Sequence, residues 1–146
     1  MFLTQKYIIL LIQGVLAIAL LTFACYIYIG YRTSDMILYT WLHIDFQNSL
    51  FELIRSHKYE LSNWMIYNMP DALWLLSYLL LIDLIWTKKS IIKICFLLII
   101  PCFALGIEIS QFYGLIEGTG DYLDLLSYTF ALVVYWFIVK LKHYLL

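Results

Sequence analysis

Residues 7–29 decide the class of fold, because they read YIILLIQGVLAIALLTFACYIYI without one charged side chain. A helix needs about 20 apolar residues to cross the hydrocarbon core of a bilayer. The run is also longer than the roughly 7–15 apolar residues of a secretory signal peptide. We therefore expect an uncleaved first membrane span at about residues 7–31.

Three shorter apolar runs follow, and they predict further spans at about residues 70–87, 91–109 and 122–142. The expected fold is all-α: a polytopic membrane protein with four transmembrane helices, forming a single domain over residues 1–146. The outer loop, residues 32–69, interleaves apolar side chains such as Trp41 and Phe46 with polar ones such as Asp45 and Gln47. This pattern is typical of an amphipathic helix at the membrane interface, acting either as a cap on the bundle or as a lid over a site.

The composition supports a membrane protein and excludes several other classes. Of the 146 residues, 64% are hydrophobic and only 13% charged, and the mean hydropathy is +0.88. A soluble domain of this size could not bury so much apolar surface, so we exclude a soluble enzyme, a disordered chain and a coiled coil. The net charge is −1 and no basic block is present, which argues against nucleic acid as a partner.

The residues that most often bind metals or cofactors give no sign of a site. Cys25, Cys95 and Cys102 lie in apolar runs and are interpreted as packing residues. The three histidines are scattered without metal-ligand spacing, and no GxSxG motif, phosphate-binding loop or dinucleotide motif occurs. We expect neither a metal nor a cofactor.

The distribution of charge predicts the orientation of the spans. If the N-terminus is cytoplasmic, the inner side holds six basic residues and the outer side three, as the positive-inside rule requires. Both termini are then cytoplasmic. The inner residues are Lys6, Lys88, Lys89, Lys93, Lys140 and Lys142, and the outer ones are Arg32, Arg55 and Lys58.

Two features inside the spans predict contacts between helices. Gln13 and Gly14 offer a hydrogen bond and a close approach to a neighbouring helix. Asp83 is interpreted as the partner of Lys88 and Lys89 in a charge pair at the inner surface.

The remaining acidic residues gather at the predicted outer ends of the last three spans. Asp71 begins the second span, Glu108 and Gln111 end the third, and Asp121 and Asp124 begin the fourth. Residues three apart share a helix face, and Trp74 continues the face of Asp71. If these spans are neighbours, their ends line one polar pocket. Carboxylates placed together repel, so one would keep a proton or the group would hold a cation or a donor-rich ligand such as a sugar.

A purely structural explanation is also open for these acids. Asp71 follows Pro70 at a helix start, and Asp121 with Asp124 has the spacing of a capping arrangement. Glu108 is harder to explain in this way, because a negative charge is unfavourable at the C-terminal end of a helix.

The second half of the chain resembles the VanZ-like family of small bacterial membrane proteins. The resemblance lies in EISQ at residues 108–111 and DYLD at residues 121–124, joined by a glycine-containing turn, and in Pro70-Asp71 ahead of Trp74. The family often has Gly-Arg before the first Asp, where this chain has GTG at residues 118–120. The resemblance implies a protein of the bacterial cytoplasmic (inner) membrane and cell envelope, in a family named for glycopeptide antibiotic resistance.

Three functional hypotheses follow. In the first, Asp71, Trp74, Glu108, Gln111, Asp121 and Asp124 bind a glycan, a lipid head group or a glycopeptide antibiotic without breaking a bond. In the second, the chain is a small accessory subunit of a larger membrane assembly and its partners are membrane proteins and lipids. In the third, carboxyl groups act as acid and base in an enzyme for lipid or cell-wall precursors; no nucleophile is evident, so an enzyme is the less favoured interpretation.

Overall fold

Every regular element in the described part of the chain is an α-helix. The computed structural model describes residues 2–33, 39, 43, 49–56, 59–117 and 120–145. Three helices are long and apolar enough to cross a membrane: Gln5–Tyr31, Ile91–Phe112 and Tyr122–Leu145. The protein is therefore all-α and of the multi-pass membrane type. The helices are α1 Phe2–Tyr31, α2 Ser49–Ser56, α3 Asn63–Tyr67, α4 Met69–Ile85, α5 Ile91–Phe112 and α6 Tyr122–Leu145.

Helix α4 is the centre of the bundle, although it has only 17 residues. It makes its most extensive contact with α1 and also packs against α5 and α6. Small side chains allow this close packing, in agreement with the way membrane helices associate. The Ser77 hydroxyl donates to the Ala17 carbonyl at 2.8 Å, and both residues are almost fully buried. The core cluster contains Ala17, Ala72, Leu75, Leu76, Leu79, Leu80 and Ala131.

The contact predicted for Gln13 and Gly14 is confirmed. The Gln13 amide nitrogen donates to the Leu80 carbonyl of α4 at 2.8 Å. A Cβ atom built on Gly14 would lie 3.2 Å from Cδ2 of Leu84, so glycine allows α1 and α4 to approach closely here.

The helices alternate in direction along the bundle. The Gln5 amide near the start of α1 donates to the Leu145 carbonyl at the end of α6, at 3.2 Å. At the same end, the C-terminal part of α4 meets the first turn of α5 through Asp83 and Lys93. The opposite end of the bundle therefore gathers the end of α1, the start of α4, the end of α5 and the start of α6.

The pairing predicted for Asp83 with Lys88 and Lys89 is wrong. Its carboxylate instead accepts from Lys93 at 2.5 Å and from Lys142 at 2.8 Å. Lys88 and Lys89 are exposed in the short connection after α4, whereas Asp83 is only 6% exposed and faces the interior of the bundle.

The predicted interfacial helix falls largely on residues 34–38, 40–42 and 44–48, which lie outside the described residues. The helix that is described in this loop, α2, packs against the end of α1. Arg55 of α2 donates to the Ile29 carbonyl at 2.9 Å and to the Arg32 carbonyl at 3.0 Å. This contact holds α2 against the end of the bundle where α4 begins.

Candidate functional site

The acidic residues singled out from the sequence come from three helix ends that the fold brings together. Asp71 lies in the first turn of α4, and Glu108 lies in the last turns of α5. Asp121 immediately precedes α6, and Asp124 lies in its first turn. We call these four residues the carboxylate cluster.

Asn68 links two members of the carboxylate cluster. It is 3% exposed, and its amide nitrogen lies 2.7 Å from Oδ1 of Asp124 and 3.4 Å from Oδ2 of Asp121. The start of α4 is thereby tied to the start of α6. Asn68 is also the residue before α4, yet its side chain makes no capping hydrogen bond there, because the amide is turned toward the carboxylates.

Glu108 joins the cluster through the backbone of the α5–α6 connection. Its Oε2 accepts from the Asp121 backbone N–H at 3.3 Å, and the residue is 8% exposed. The contact requires the chain to pass very close to α5. A Cβ atom on Gly120 would lie 2.7 Å from the Phe112 backbone nitrogen, so only glycine fits this approach.

Asp71 interacts with α1 rather than with free backbone amides at its own helix end. It accepts a hydrogen bond from the Tyr28 hydroxyl and lies 3.9 Å from the guanidinium of Arg32. The capping explanation is confirmed for Asp121, whose Oδ1 accepts from the Leu123 backbone N–H at 2.9 Å. Asp71 and Asp124 are instead engaged by side chains from other parts of the chain.

Arg32 supplies a positive charge that the sequence analysis did not assign to the site. Its guanidinium donates to the Tyr67 carbonyl at 2.6 Å and to the Ile66 carbonyl at 3.2 Å. It also lies 5.0 Å from the ring centres of Tyr28 and Tyr67, within the range of a cation–π contact. These bonds hold Arg32 between the end of α1 and the short helix α3, beside Asp71.

The site carries a formal excess of negative charge. Counted at their formal charges, the four carboxylates of the cluster outnumber the Arg32 guanidinium beside Asp71 by three among the described residues. Asp71, Glu108 and Asp124 lie close enough to interact electrostatically with one another. Near a membrane such repulsion is costly, so the arrangement favours hydrogen-bond donors or positive charge in any ligand.

An aromatic cavity of about 410 Å³ begins at Asp71 and runs between the helices. All four long helices contribute to it: Tyr28 from α1, Trp74 and Tyr78 from α4, Ile100 and Ala104 from α5, and Tyr128 from α6. Trp74 is 43% exposed and Ile100 is 42% exposed. The cavity is therefore open to the outside of the bundle between α4 and α5.

Gln111 is not part of the hydrogen bonds that connect the carboxylate cluster in the described residues. Its amide nitrogen donates to the Glu117 carbonyl at 3.4 Å and so fastens the turn after α5. No three His, Cys, Asp or Glu side chains in the described part of the chain are grouped so that they could hold a metal ion. The site consequently offers hydrogen-bond acceptors and aromatic faces.

The sequence analysis missed three residues that contact the carboxylate cluster, Tyr28, Arg32 and Asn68, and it named only Trp74 among the aromatic residues of the cavity. Tyr28 and Arg32 lie 43 and 39 positions before Asp71, and no local pattern indicates that they meet it. Asn68 adjoins the Pro70-Asp71 pair, and an amide beside a helix-start carboxylate is the one local signal that could have identified it.

Comparison with protein-family models, with characterised proteins and with solved structures finds no match to this chain.

Proposed function

We propose that this protein is a four-span membrane protein of the bacterial cell envelope that binds a donor-rich ligand at the carboxylate cluster on the outer side. One observation carries the proposal: Asn68 at the start of α4 and the Asp121 backbone N–H join Asp121, Asp124 and Glu108 in one network. Asp71 lies within electrostatic range of this network. Negative charge at the end of an apolar bundle is energetically costly, and ligand binding is a reason for the protein to keep it there.

The directions of the helices support α4 as a fourth span. Both α1 and α5 have their N-terminal parts at the Asp83 end of the bundle, where Gln13 and Lys93 each bind the Asp83 carboxylate. If α1 and α5 cross the membrane in the same direction, the chain must return between them. Helix α4 fills that place and, at about 1.5 Å per residue, is about 25 Å long, enough for a slightly thinned bilayer.

The charges support an orientation with both termini cytoplasmic. The Asp83 end then carries most of the lysines and the opposite end most of the acids. The outer loop lies on the acidic end, where α2 presents one apolar and one polar face, as a helix at the membrane interface does. In this proposal the carboxylate cluster faces the cell exterior or periplasm.

The ligand classes that suit this site are a glycan, a lipid head group and a glycopeptide, since each offers many hydroxyl, amide or ammonium donors. The VanZ-like pattern at residues 108–124 supports the same cell-envelope setting. Arg32 provides a positive charge beside Asp71, whereas this chain has GTG at residues 118–120 in place of the family's Gly-Arg.

Binding of a polyprenyl-linked glycan and of the glycopeptide teicoplanin to the purified protein tests the proposal. We expect the double variant Glu108→Gln, Asp124→Asn to bind at least one of these ligands about tenfold more weakly than the wild type does. Glu117→Gln is the matched control, because Glu117 is exposed in the nearby turn and lies outside the cluster. Equal affinities in the wild type and the double variant, or no binding by either, would refute the proposal.

A second candidate function is that of an accessory subunit in a membrane assembly. It is favoured by a groove of about 400 Å³ on α6 that contains Trp64, Leu126, Ser127 and Phe130. Leu126 and Phe130 are 63% and 64% exposed, so the groove offers an apolar surface on which a helix of a partner protein could pack.

Purification in mild detergent distinguishes this candidate. A subunit should co-purify with a partner of fixed stoichiometry, and Phe130→Ala should weaken that association. Phe137→Ala is the control, because Phe137 is equally exposed on α6 and lies outside the groove. A monodisperse monomer would count against the accessory role.

A further inference from the structure

We propose that the aromatic cavity binds the organic ammonium group of an amphiphile, which enters from the membrane between α4 and α5. This inference rests on the proposed function and narrows the class of ligand. It starts from the cavity itself, in which four aromatic rings surround a space whose charged lining residue is Asp71. The rings are those of Tyr28, Trp74, Tyr78 and Tyr128.

Two of the three tyrosine hydroxyls that line the cavity are already used by the protein. The Tyr28 hydroxyl donates to Asp71, and the Tyr78 hydroxyl donates to the Phe96 carbonyl. These two hydroxyls are therefore not free to bind a sugar. A quaternary ammonium carries no N–H and needs no hydrogen-bond partner, because aromatic faces and a nearby negative charge attract it without directional bonds.

The charge around the cavity has the sign that such a ligand requires. Arg32 compensates Asp71, and its guanidinium already lies 5.0 Å from the centre of the Tyr28 ring. A ligand cation would therefore use the other three rings, and Glu108 and Asp124 add negative charge within electrostatic range of Asp71. The interaction of a cation with an aromatic face also strengthens when water is excluded, as it is between packed helices.

The shape of the cavity indicates an amphiphile. It reaches Ile100, which lies eight residues before Glu108 and so about 12 Å further along α5 toward the middle of the bundle. Trp74 and Ile100 are both about two-fifths exposed on the bundle surface that would face lipid. An ammonium group near Asp71 could thus continue into an acyl or alkyl chain that runs past Ile100 into the bilayer.

The test uses the full chain in micelles of an uncharged polyoxyethylene detergent, with decyltrimethylammonium below its critical micelle concentration as the probe. Isothermal titration calorimetry is expected to show saturable binding. Decanol and decyl sulfate, which have the same chain length without the ammonium, should bind at least tenfold more weakly. Equal binding of all three probes would overturn the inference.

Variants of Trp74 test the contact without disturbing the buried network, because this side chain is partly exposed. Trp74→Leu should weaken decyltrimethylammonium binding about tenfold, whereas Trp74→Phe keeps an aromatic face and should stay within about threefold of the wild type. Trp136→Leu is the control, since Trp136 is exposed on α6 outside the cavity. An unchanged affinity in Trp74→Leu contradicts the proposed contact.

Tetramethylammonium distinguishes a membrane ligand from a soluble one. If tetramethylammonium binds at least tenfold more weakly than decyltrimethylammonium, the ligand is an amphiphile. Equal binding of the two probes would show that the alkyl chain of the ligand contributes nothing. If the ammonium probes fail while polyprenyl-glycan binding depends on Glu108 and Asp124, only this inference is wrong. If Trp74→Leu weakens ammonium binding but Glu108→Gln and Asp124→Asn change the affinity for no ligand, the proposed binding role of the carboxylate cluster is wrong.

Discussion

Asp83 connects all four long helices through one carboxylate. It accepts from Lys93 of α5, Lys142 of α6 and the Gln13 amide of α1, while it belongs to α4 itself. Lys142 also donates to Gln13 at 2.8 Å, so the three partners form a connected network. Each charged side chain in this network has a partner of opposite charge. The cost of burying these charges is therefore offset only while all members of the network are present.

Asp83→Asn should therefore destabilise the protein. The change leaves the ammonium groups of Lys93 and Lys142 without an anion inside the bundle, and breaking a buried ion pair in this way costs about 3–5 kcal/mol. A fall in the apparent melting temperature in detergent would measure the loss. Lys88→Met is the control, because Lys88 is exposed and should leave the melting temperature unchanged. An equal fall in melting temperature in Asp83→Asn and Lys88→Met would contradict the network around Asp83.

Gly120 controls how closely the α5–α6 connection approaches α5. In Gly120→Ala the new Cβ would lie 2.7 Å from the Phe112 backbone nitrogen, which cannot move away as a flexible side chain can. We expect a loss of about 1–3 kcal/mol of stability, as in other overpacked positions, and a weaker Glu108–Asp121 contact.

Gly106→Ala provides the matched comparison. A Cβ atom on Gly106 meets no atom within 4 Å, and the residue lies inside helix α5. Alanine is more favourable than glycine in a helix interior by roughly 0.5–1 kcal/mol, so this variant should gain stability. Thermal unfolding under identical detergent conditions should show a lower melting temperature for Gly120→Ala and a higher one for Gly106→Ala than for the wild type. A lower melting temperature in both variants would contradict the packing described for these glycines.

The pair α1 and α4 is the structural unit on which the other helices pack. Ala17 is fully buried in this contact and its carbonyl accepts from Ser77, so the two backbones lie close together. Helix α4 contributes most of the buried apolar side chains, although it is the shortest of the four long helices. The end of this pair also carries Tyr28 and Asp71, and the packing of α1 on α4 thereby positions one side of the site.

Ala17→Leu should separate these two helices. The larger side chain has no free space at a fully buried position, and overpacking of this kind typically costs about 1–3 kcal/mol. Val15→Leu is the control, because Val15 is 61% exposed on the same helix and should tolerate the change. Melting temperatures in detergent report the difference, and a stable Ala17→Leu protein would show that the α1–α4 contact is looser than described.

Hydropathy predicts the helices well because each apolar run is read locally along the chain. Helices α1, α5 and α6 coincide with expected spans, and the acidic ends of α5 and α6 meet at one end of the bundle. The partners of Asp83 could not be predicted in this way. The nearest lysines in sequence lie in an exposed connection, while Lys142, 59 residues away, reaches the carboxylate through the packing of α6.

The proposed number of membrane crossings can be tested on two exposed residues. With four spans, Glu117 lies outside and Lys88 inside; if α4 did not cross, their sides would be exchanged. We would introduce Glu117→Cys or Lys88→Cys after replacing Cys25, Cys95 and Cys102 with alanine.

In intact cells a membrane-impermeant maleimide should label Glu117→Cys, whereas Lys88→Cys should react only after the membrane is opened. The adjacent ends of α1 and α6, joined by Gln5 and the Leu145 carbonyl, require both termini on the side of Lys88. A reporter fused to either terminus should therefore be protected from external protease. Labelling of Lys88→Cys from outside would contradict both the fourth span and the outward position of the carboxylate cluster, because the two depend on the same crossing by α4.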